Sequence, residues 1–184
     1  MTGAVLAGGA GRRFGAPSKP GASVGGRPLV SYPIAALAAV CERVAVVCKP
    51  DTALPELDGA ERWDEPETPR HPIVGIIHAL ERAGGPVLVC AADMPFVTPD
   101  ACRTLLASGG GSPAVVAVTG GILQPVLALY SPAALEVLRD AVEDAALTET
   151  VELLDPARVA LPAAIVRSVN TPEELAEAEA TLGR

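Results

Sequence analysis

The 184-residue chain lacks the features that mark membrane-spanning and exported proteins. No segment approaches the roughly twenty uninterrupted apolar residues that a membrane helix needs. The apolar run Val5-Leu6-Ala7 has no charged leader before it and passes directly into glycines, which argues against a signal peptide. We therefore expect a cytoplasmic protein without a membrane partner.

Closely spaced cysteines are also missing. The four cysteines show no C-x-x-C spacing, which argues against a zinc site, and a chain of this length needs no disulfides to fold: Cys41, Cys48, Cys90 and Cys102. Most of them lie in apolar runs, where a cysteine packs as a small hydrophobic residue. This usage is typical of a reducing compartment.

The chain has no excess of positive charge. Its formal net charge of −8 argues against a non-specific nucleic-acid partner, because phosphate binding needs a basic surface. Only two lysines occur, Lys19 and Lys49, and every other cationic side chain is arginine. Lys19 stands out because it follows Arg12 and Arg13 in a locally basic, glycine-rich segment.

What the chain does have is the composition of one globular domain, which we place at residues 1–184. Apolar residues make up 49% of it, and no internal repeat or long linker divides it. Short β-rich runs alternate with helical patterns, and the predicted strands are Ala4–Leu6, Val44–Cys48, Pro86–Ala91, Ala114–Val118, Val126–Tyr130 and Ala163–Val166. Apolar runs in this order predict an α/β fold with a mostly parallel sheet covered by helices.

Helix starts are marked by a hydroxyl residue before proline. The pairs Thr98-Pro99, Ser131-Pro132 and Thr171-Pro172 each supply an N-cap followed by proline at the first helical position. Glu174 lies three residues after Thr171 and completes a capping box. Pro33 fits the first long helix only if that helix begins near Ser31.

Polar or glycine-rich segments follow three of the predicted strands. They are the loop after Leu6, the stretch around Asp64, and Asp93 after the third strand. In open parallel sheets, ligands bind beyond the carboxyl ends of the strands. We therefore expect these segments to meet at one site.

The loop after Leu6 contains four glycines, two arginines and no acid within residues 6–15. Glycine lets backbone N–H groups approach an anion closely, and nearby cations add to the attraction, so the loop indicates phosphate binding. The Walker pattern is absent, since Gly15 is followed by Ala16, and G-x-G-x-x-G read from Gly9 ends on Phe14. A flexible loop with a solvated arginine pair is the alternative interpretation.

These segments together resemble the molybdenum cofactor guanylyltransferases. The motifs that carry the resemblance run in order along the chain: Leu6-Ala7-Gly8-Gly9, Arg13-Phe14-Gly15, Lys19, Gly26-Arg27-Pro28-Leu29, Asp64 before Pro72-Ile73-Val74-Gly75, Cys90-Ala91-Ala92-Asp93-Met94-Pro95, Gln124-Pro125 and Val169-Asn170-Thr171-Pro172-Glu173-Glu174-Leu175. Phe14 stands in place of the usual methionine, Cys48 where some members carry asparagine, and Ser168 where a second asparagine is common.

The resemblance implies a single-domain, three-layer αβα sandwich, Rossmann-like, of the nucleotide-diphospho-sugar transferase type. It also implies transfer of GMP from GTP to molybdopterin with Mg²⁺ and release of pyrophosphate, by a monomer or weak homo-oligomer. The implied nucleotide-binding residues are Leu6, Ala7, Gly8, Gly9, Arg13, Lys19, Asp64 and Asp93. The implied catalytic residues are Arg13, Lys19 and Asp93, with Asp93 as metal ligand and Asn170 near the acceptor. Gly9 favours guanine, because related cytidylyl enzymes tend to carry L-A-A-G.

Several assignments have structural alternatives. Asp93 before Met94-Pro95 also suits a turn residue, Asp64 a solvated loop acid, and Asn170 the turn before the Thr171 cap. His71 and His78 have no acids or cysteines at metal-ligand spacing and are interpreted as surface or packing residues. Two other functions stay open. One is a guanylyl- or cytidylyltransferase acting on phospholactate or a sugar phosphate, and the other is a non-catalytic nucleotide-binding protein.

Overall fold

The structure is a computed structural model that describes residues 1–8, 19–141 and 146–183. Its nine strands are β1 (Thr2–Leu6), β2 (Ser23–Val24), β3 (Arg27–Pro28), β4 (Arg43–Cys48), β5 (Glu61–Asp64), β6 (Val87–Ala91), β7 (Ala114–Thr119), β8 (Ile122–Tyr130) and β9 (Ala157–Ala160). Its α-helices are α1 (Ser31–Ala38), α2 (Pro72–Ala83), α3 (Pro99–Ala107), α4 (Leu135–Asp140), α5 (Leu147–Glu152), α6 (Ala163–Val166) and α7 (Pro172–Leu182). Short 3₁₀ turns occur at Lys19–Gly21 and Pro132–Ala134.

Seven strands form one sheet in the order β5-β4-β1-β6-β8-β7-β9. Strands β5, β4, β1 and β6 pair in parallel, and β7 pairs in parallel with β9. Only β8 runs against both of its neighbours in this sheet. The predicted α/β fold with a mostly parallel sheet is therefore confirmed.

Helices cover both faces of this sheet. Successive residues of a strand point to opposite faces, and in β4 Val46 packs with the cluster beneath α1 and α3, whereas Val47 packs with the cluster beneath α2, α4 and α5. Burial on both faces explains why the central strands read as continuous apolar runs. The arrangement is the predicted three-layer sandwich. None of the helices within the described ranges is both long and apolar enough to cross a membrane.

One predicted strand is wrong. Ala163–Val166 forms the short helix α6, and the edge position beside β7 is taken by β9 just before it. Four small or apolar residues in a row do not distinguish a strand from a helical turn, and Pro162 immediately before them suits a helix start. Strand β5 was not predicted, because only Trp63 of its four residues is buried.

The predicted helix starts are mostly confirmed. The Thr98 side chain accepts from Ala101 N–H, and Thr171 with Glu174 forms a complete capping box. Helix α1 begins at Ser31, as Pro33 required. Ser131 precedes a 3₁₀ turn and makes no side-chain cap.

The C-terminal helix packs on the small hairpin of β2 and β3. Val24 and Leu29 from the hairpin region form a small core with Val169 and Ala178. The Glu179 carboxylate also accepts a hydrogen bond from Gly25 N–H at 2.6 Å. This contact fixes α7 against the hairpin.

Candidate active site

A cavity of about 320 Å³ opens where β1, β4, β5 and β6 end. Its lining comes from the loops that follow these strands, the start of α2, and the segments at residues 19–20, 126 and 168. The described residues that line it are Leu6, Ala7, Gly8, Lys19, Pro20, Val47, Lys49, Glu65, Arg70, His71, Pro72, Gly75, Ala91, Ala92, Asp93, Val126 and Ser168. Each of the three segments expected to meet at this edge contributes to the lining, through Leu6–Gly8, Glu65 and Asp93.

One end of the cavity carries a cluster of Lys19, Asp93 and Asn170. Lys19 Nζ forms a short ion pair with Asp93 Oδ2 and donates to Asn170 Oδ1 at 2.7 Å. The side chains of Lys19 and Asp93 are 16% and 22% exposed, so water and small anions can reach both. We call this group the open pair, with Asn170 as its neighbour.

Backbone contacts bring the open pair together from distant parts of the chain. Asp93 follows β6, and its carbonyl oxygen accepts from Val169 N–H at 2.8 Å. Glu174, which caps α7, also accepts from Asn170 N–H at 2.5 Å. The capping box therefore fixes both the helix start and the position of the amide that contacts Lys19.

The other end of the cavity carries a second lysine–carboxylate pair, Lys49 and Glu65. Lys49 Nζ donates to the carbonyl oxygens of Pro66 and Pro69 at 2.6 and 2.8 Å, and lies 3.3 Å from Glu65 Oε1. The Lys49 and Glu65 side chains are only 1% and 4% exposed. Burial raises the pKa of Glu65, and the nearby Lys49 ammonium opposes that rise. We call this group the buried pair.

Two glycines make room for the Glu65 carboxylate. A methyl group at position 8 would lie 2.8 Å from Glu65 Oε1, and one at position 75 would lie 3.0 Å from Oε2. Gly8 follows β1 and Gly75 lies in the first turn of α2. The carboxylate therefore lies between the β1 loop and α2, and a side chain at either glycine would displace it.

The start of α2 also faces the cavity. His71 is its N-cap, with Nδ1 accepting from Ile73 N–H at 3.3 Å, and Pro72 follows at the first helical position. Arg70 lines the same wall and pairs with Asp51 at 2.5 Å. The interpretation of His71 as a packing residue is thus incomplete, because it both caps a helix and lines the cavity.

The residues expected at the site fall into three groups: those at the cavity, those outside the described residues, and Asp64, which lies elsewhere. Leu6, Ala7, Gly8, Lys19 and Asp93 line the cavity, and Asn170 contacts Lys19. Gly9 and Arg13 lie outside the described residues, as do Arg12, Phe14 and Gly15.

Asp64 lies apart from the cavity lining. Its Oδ1 pairs with Arg62 Nε at 2.8 Å, and its side chain is 52% exposed. The next residue, Glu65, turns inward instead, because side chains alternate along the strand direction. The acid that lines the cavity at this point is Glu65.

Four residues of the cavity lining were not predicted from the sequence: Lys49, Glu65, Arg70 and His71. The scarcity of lysine was a usable signal for Lys49, since both lysines of the chain line the cavity. No comparable signal marks Glu65, which stands among Glu61, Asp64 and Glu67 in the sequence. Only the fold separates the buried acid from its exposed neighbours.

Comparison with known proteins agrees with this geometry. The chain is 34% identical to a molybdenum cofactor guanylyltransferase of Cereibacter sphaeroides, over 99% of this chain and 97% of that protein. It is 35% identical to a 2-C-methyl-D-erythritol 4-phosphate cytidylyltransferase of Chromobacterium violaceum, over 72% of this chain and 59% of that protein. Among solved structures, molybdopterin-guanine dinucleotide biosynthesis protein A from Archaeoglobus fulgidus superposes with a TM-score of 0.76 and 26% identity, covering 99% of this chain and 98% of that one. Residues 3–159 match the MobA-like NTP transferase domain, and the chain belongs to that family.

Proposed function

We propose that this nucleotidyltransferase transfers GMP from GTP to molybdopterin, releases pyrophosphate, and uses Mg²⁺. Within the family, guanylyl transfer is favoured by the relative that matches over nearly its whole length and bears that activity in its name. The proposal treats residues 1–184 as one domain, working in the cytoplasm as a monomer or weak homo-oligomer. The four unpaired cysteines fit a reducing compartment.

The observation that carries this proposal is the open pair at the carboxyl ends of parallel strands. A lysine and a carboxylate there line the same cavity as Leu6, Ala7 and Gly8 of the neighbouring strand β1 and its loop. A triphosphate is bound by cations and backbone N–H groups, and by a divalent ion that a carboxylate can hold. Lys19 supplies the cation, the β1 loop supplies the backbone, and Asp93 supplies the carboxylate.

The proposed reaction needs positioning more than acid–base chemistry. An acceptor phosphate oxygen forms a bond to the α-phosphorus of GTP as the bond to the β-phosphate oxygen breaks, and pyrophosphate leaves. Lys19, and Arg13 by resemblance, would bind the phosphates and stabilise the charge that develops on their oxygens. No general base is needed, because the attacking phosphate is already an anion.

The donors near Asp93 fit a magnesium ion. Mg²⁺ is commonly held by one or two carboxylates together with substrate phosphates and waters, and Asp93 with the Asn170 carbonyl oxygen offers hard oxygen donors of this kind. In the described part of the chain, no group of three or more His, Cys, Asp or Glu side chains forms a ready metal cage. A bound Mg²⁺ would neutralise phosphate charge during transfer. In that state Lys19 would turn from Asp93 towards the phosphates.

A second candidate is guanylyl or cytidylyl transfer to another phosphorylated acceptor, such as a sugar phosphate or phospholactate. The partial match to a cytidylyltransferase favours it over functions outside nucleotidyl transfer. A third candidate, nucleotide binding without catalysis, keeps the same loop and cavity. The three candidates differ in the nucleotide and acceptor that they use and in whether pyrophosphate is released.

The proposal is tested by pyrophosphate release from four nucleoside triphosphates, each with molybdopterin, a sugar phosphate and phospholactate, with and without Mg²⁺. We expect release only with GTP, molybdopterin and Mg²⁺ together. Release with CTP, or with a sugar phosphate or phospholactate in place of molybdopterin, would establish the second candidate. Tight GTP binding without release from any acceptor would establish the third.

A further inference from the structure

The C-terminal helix α7 contacts the chain on both sides of the Lys19–Asn170 hydrogen bond. In its first turn, the Glu174 carboxylate accepts from Asn170 N–H at 2.5 Å. Five residues later, the Glu179 carboxylate accepts from Gly25 N–H at 2.6 Å, in the hairpin that follows Lys19. A helix rises 1.5 Å per residue, so Glu174 and Glu179 lie about 7.5 Å apart along the axis of one rigid element.

The hairpin of β2 and β3 turns at two glycines that lie beside the end of α7. Gly25 and Gly26 both have positive φ, 56° and 71°, which a two-residue hairpin turn of this twist requires. A methyl group on Gly25 would lie 3.4 Å from Gly183 Cα, so the turn is packed closely against the residue that ends the helix. The Glu179 carboxylate therefore bonds a turn that already touches α7.

Backbone hydrogen bonds connect this hairpin to Lys19. Ala22 N–H donates to the Lys19 carbonyl oxygen at 3.2 Å, and Val30 N–H donates to the Pro20 carbonyl oxygen at 3.2 Å. Leu29 N–H donates to the Ala22 carbonyl oxygen at 2.8 Å and closes the base of the hairpin. Because every step is a backbone contact, a shift of the turn should also shift the backbone from which the Lys19 side chain extends.

We propose that Glu179 is a positioning residue for Lys19, and that α7 places the Lys19 ammonium beside Asp93 by holding the Gly25 turn. This inference rests on the proposed function, in which Lys19 binds the triphosphate. A lysine ammonium sits on a flexible four-carbon stem, so it meets a phosphate in one geometry only when the backbone beneath it is fixed. Glu179 is not among the described residues that line the cavity, so its effect on a nucleotide must pass through another residue.

The test is a double-mutant cycle between Glu179→Ala and Lys19→Met, measured by titration calorimetry with Mg²⁺–GTP, which needs no acceptor. Lys19→Met should weaken GTP binding about ten- to a hundredfold, as for the loss of a hydrogen bond to a charged group. Glu179→Ala should weaken it about three- to tenfold in the native background, because the ammonium is no longer held in place. In the Lys19→Met background the same change should weaken it less than about twofold, because no ammonium is left to position.

A conservative replacement separates positioning from the loss of the acid itself. Glu179→Gln keeps an oxygen that accepts from Gly25 N–H, so it should restore most of the affinity that Glu179→Ala loses. The matched control is Glu177→Ala, which removes an exposed acid of the same helix that pairs with Arg167. It should bind GTP as the native protein does. Far-UV circular dichroism checks that each variant folds, and Glu179→Asp, whose carboxylate is one methylene shorter, replaces Glu179→Ala if that variant does not fold.

The outcomes separate this inference from the function it rests on. If Glu179→Ala weakens GTP binding equally in both backgrounds, or leaves it unchanged in the native one, Glu179 does not position Lys19, while guanylyl transfer can still stand. If Lys19→Met binds GTP as tightly as the native protein, the phosphate-binding role of Lys19 and this inference both fall. If the native protein does not bind GTP, the proposed function itself is wrong.

Discussion

The two lysines of this chain form two ion pairs at opposite ends of one cavity. The open pair, Lys19–Asp93, has side chains 16% and 22% exposed, and the buried pair, Lys49–Glu65, has side chains 1% and 4% exposed. A lysine ammonium is strongly hydrated. In the open pair, water and a ligand can therefore interact with it, whereas in the buried pair groups of the protein must compensate its charge. The open pair is therefore suited to bind the charge of a solvated ligand, whereas the buried pair is a fixed part of the cavity wall.

The largest effect should come from the carboxylate of the open pair. Asp93→Asn keeps the size of the side chain but removes its charge, so we expect pyrophosphate release to fall by about 10²- to 10³-fold, the usual loss when one electrostatic group at the reacting centre is removed. The readout is pyrophosphate release with Mg²⁺ and GTP. Asp100→Asn, on the exposed surface of α3, is the control. A native rate in Asp93→Asn would remove Asp93 from the metal site.

Replacing each lysine by methionine contrasts the two ends directly. Lys49→Met leaves Glu65 buried without its cation, so we expect the free energy of unfolding to fall by about 3 kcal/mol. Lys19→Met should lower it much less, because water reaches the open pair, yet should still reduce pyrophosphate release. Urea denaturation measures the first quantity. Equal losses of stability in the two variants would contradict the division into an open and a buried pair.

The stability of the buried pair should depend on pH. Burial raises the pKa of Glu65, so its proton is held more tightly in the folded than in the unfolded protein. This contribution is fully present below the unfolded value of about 4.3 and is lost as pH rises through the folded pKa. We expect native stability, relative to Glu65→Gln, to fall with rising pH over that window in urea titrations. A difference that rises with pH would contradict the inferred direction of the pKa shift of Glu65.

The smallest effect should come from the cap that positions Asn170. Thr171→Ala removes the side chain that accepts from Glu174 N–H, and we expect it to cost about 1 kcal/mol of stability. Thermal denaturation measures it, with Thr181→Ala in the same helix as the control. If pyrophosphate release falls along with stability in Thr171→Ala alone, the cap also serves the open pair.

The sequence predicted the sheet better than the site, for a physical reason. Strands buried on both faces, such as β4 and β6, can be recognised in the sequence as apolar runs. Strands β5 and β9 lie at the sheet edges and carry few buried residues, so they leave no such run. At the site, Lys19 was predicted because it follows a glycine-rich basic segment, and Asp93 because it follows a strand end. Glu65 was missed in favour of Asp64, because a one-residue step decides which side chain faces inward. Tertiary contacts, not local pattern, make that choice.

The contact between Lys19 and Asn170 spans 151 positions of the chain. During synthesis, domains begin to form from their N-terminal parts while the ribosome adds about 5–20 residues per second. Lys19 is therefore added to the growing chain roughly 8–30 s before Asn170, at those speeds. A chain that stops early could still build the central strands, but it would lack the amide that contacts Lys19 and the helix that holds it. The open end of the cavity is thus completed only after the segment through α7 has been made.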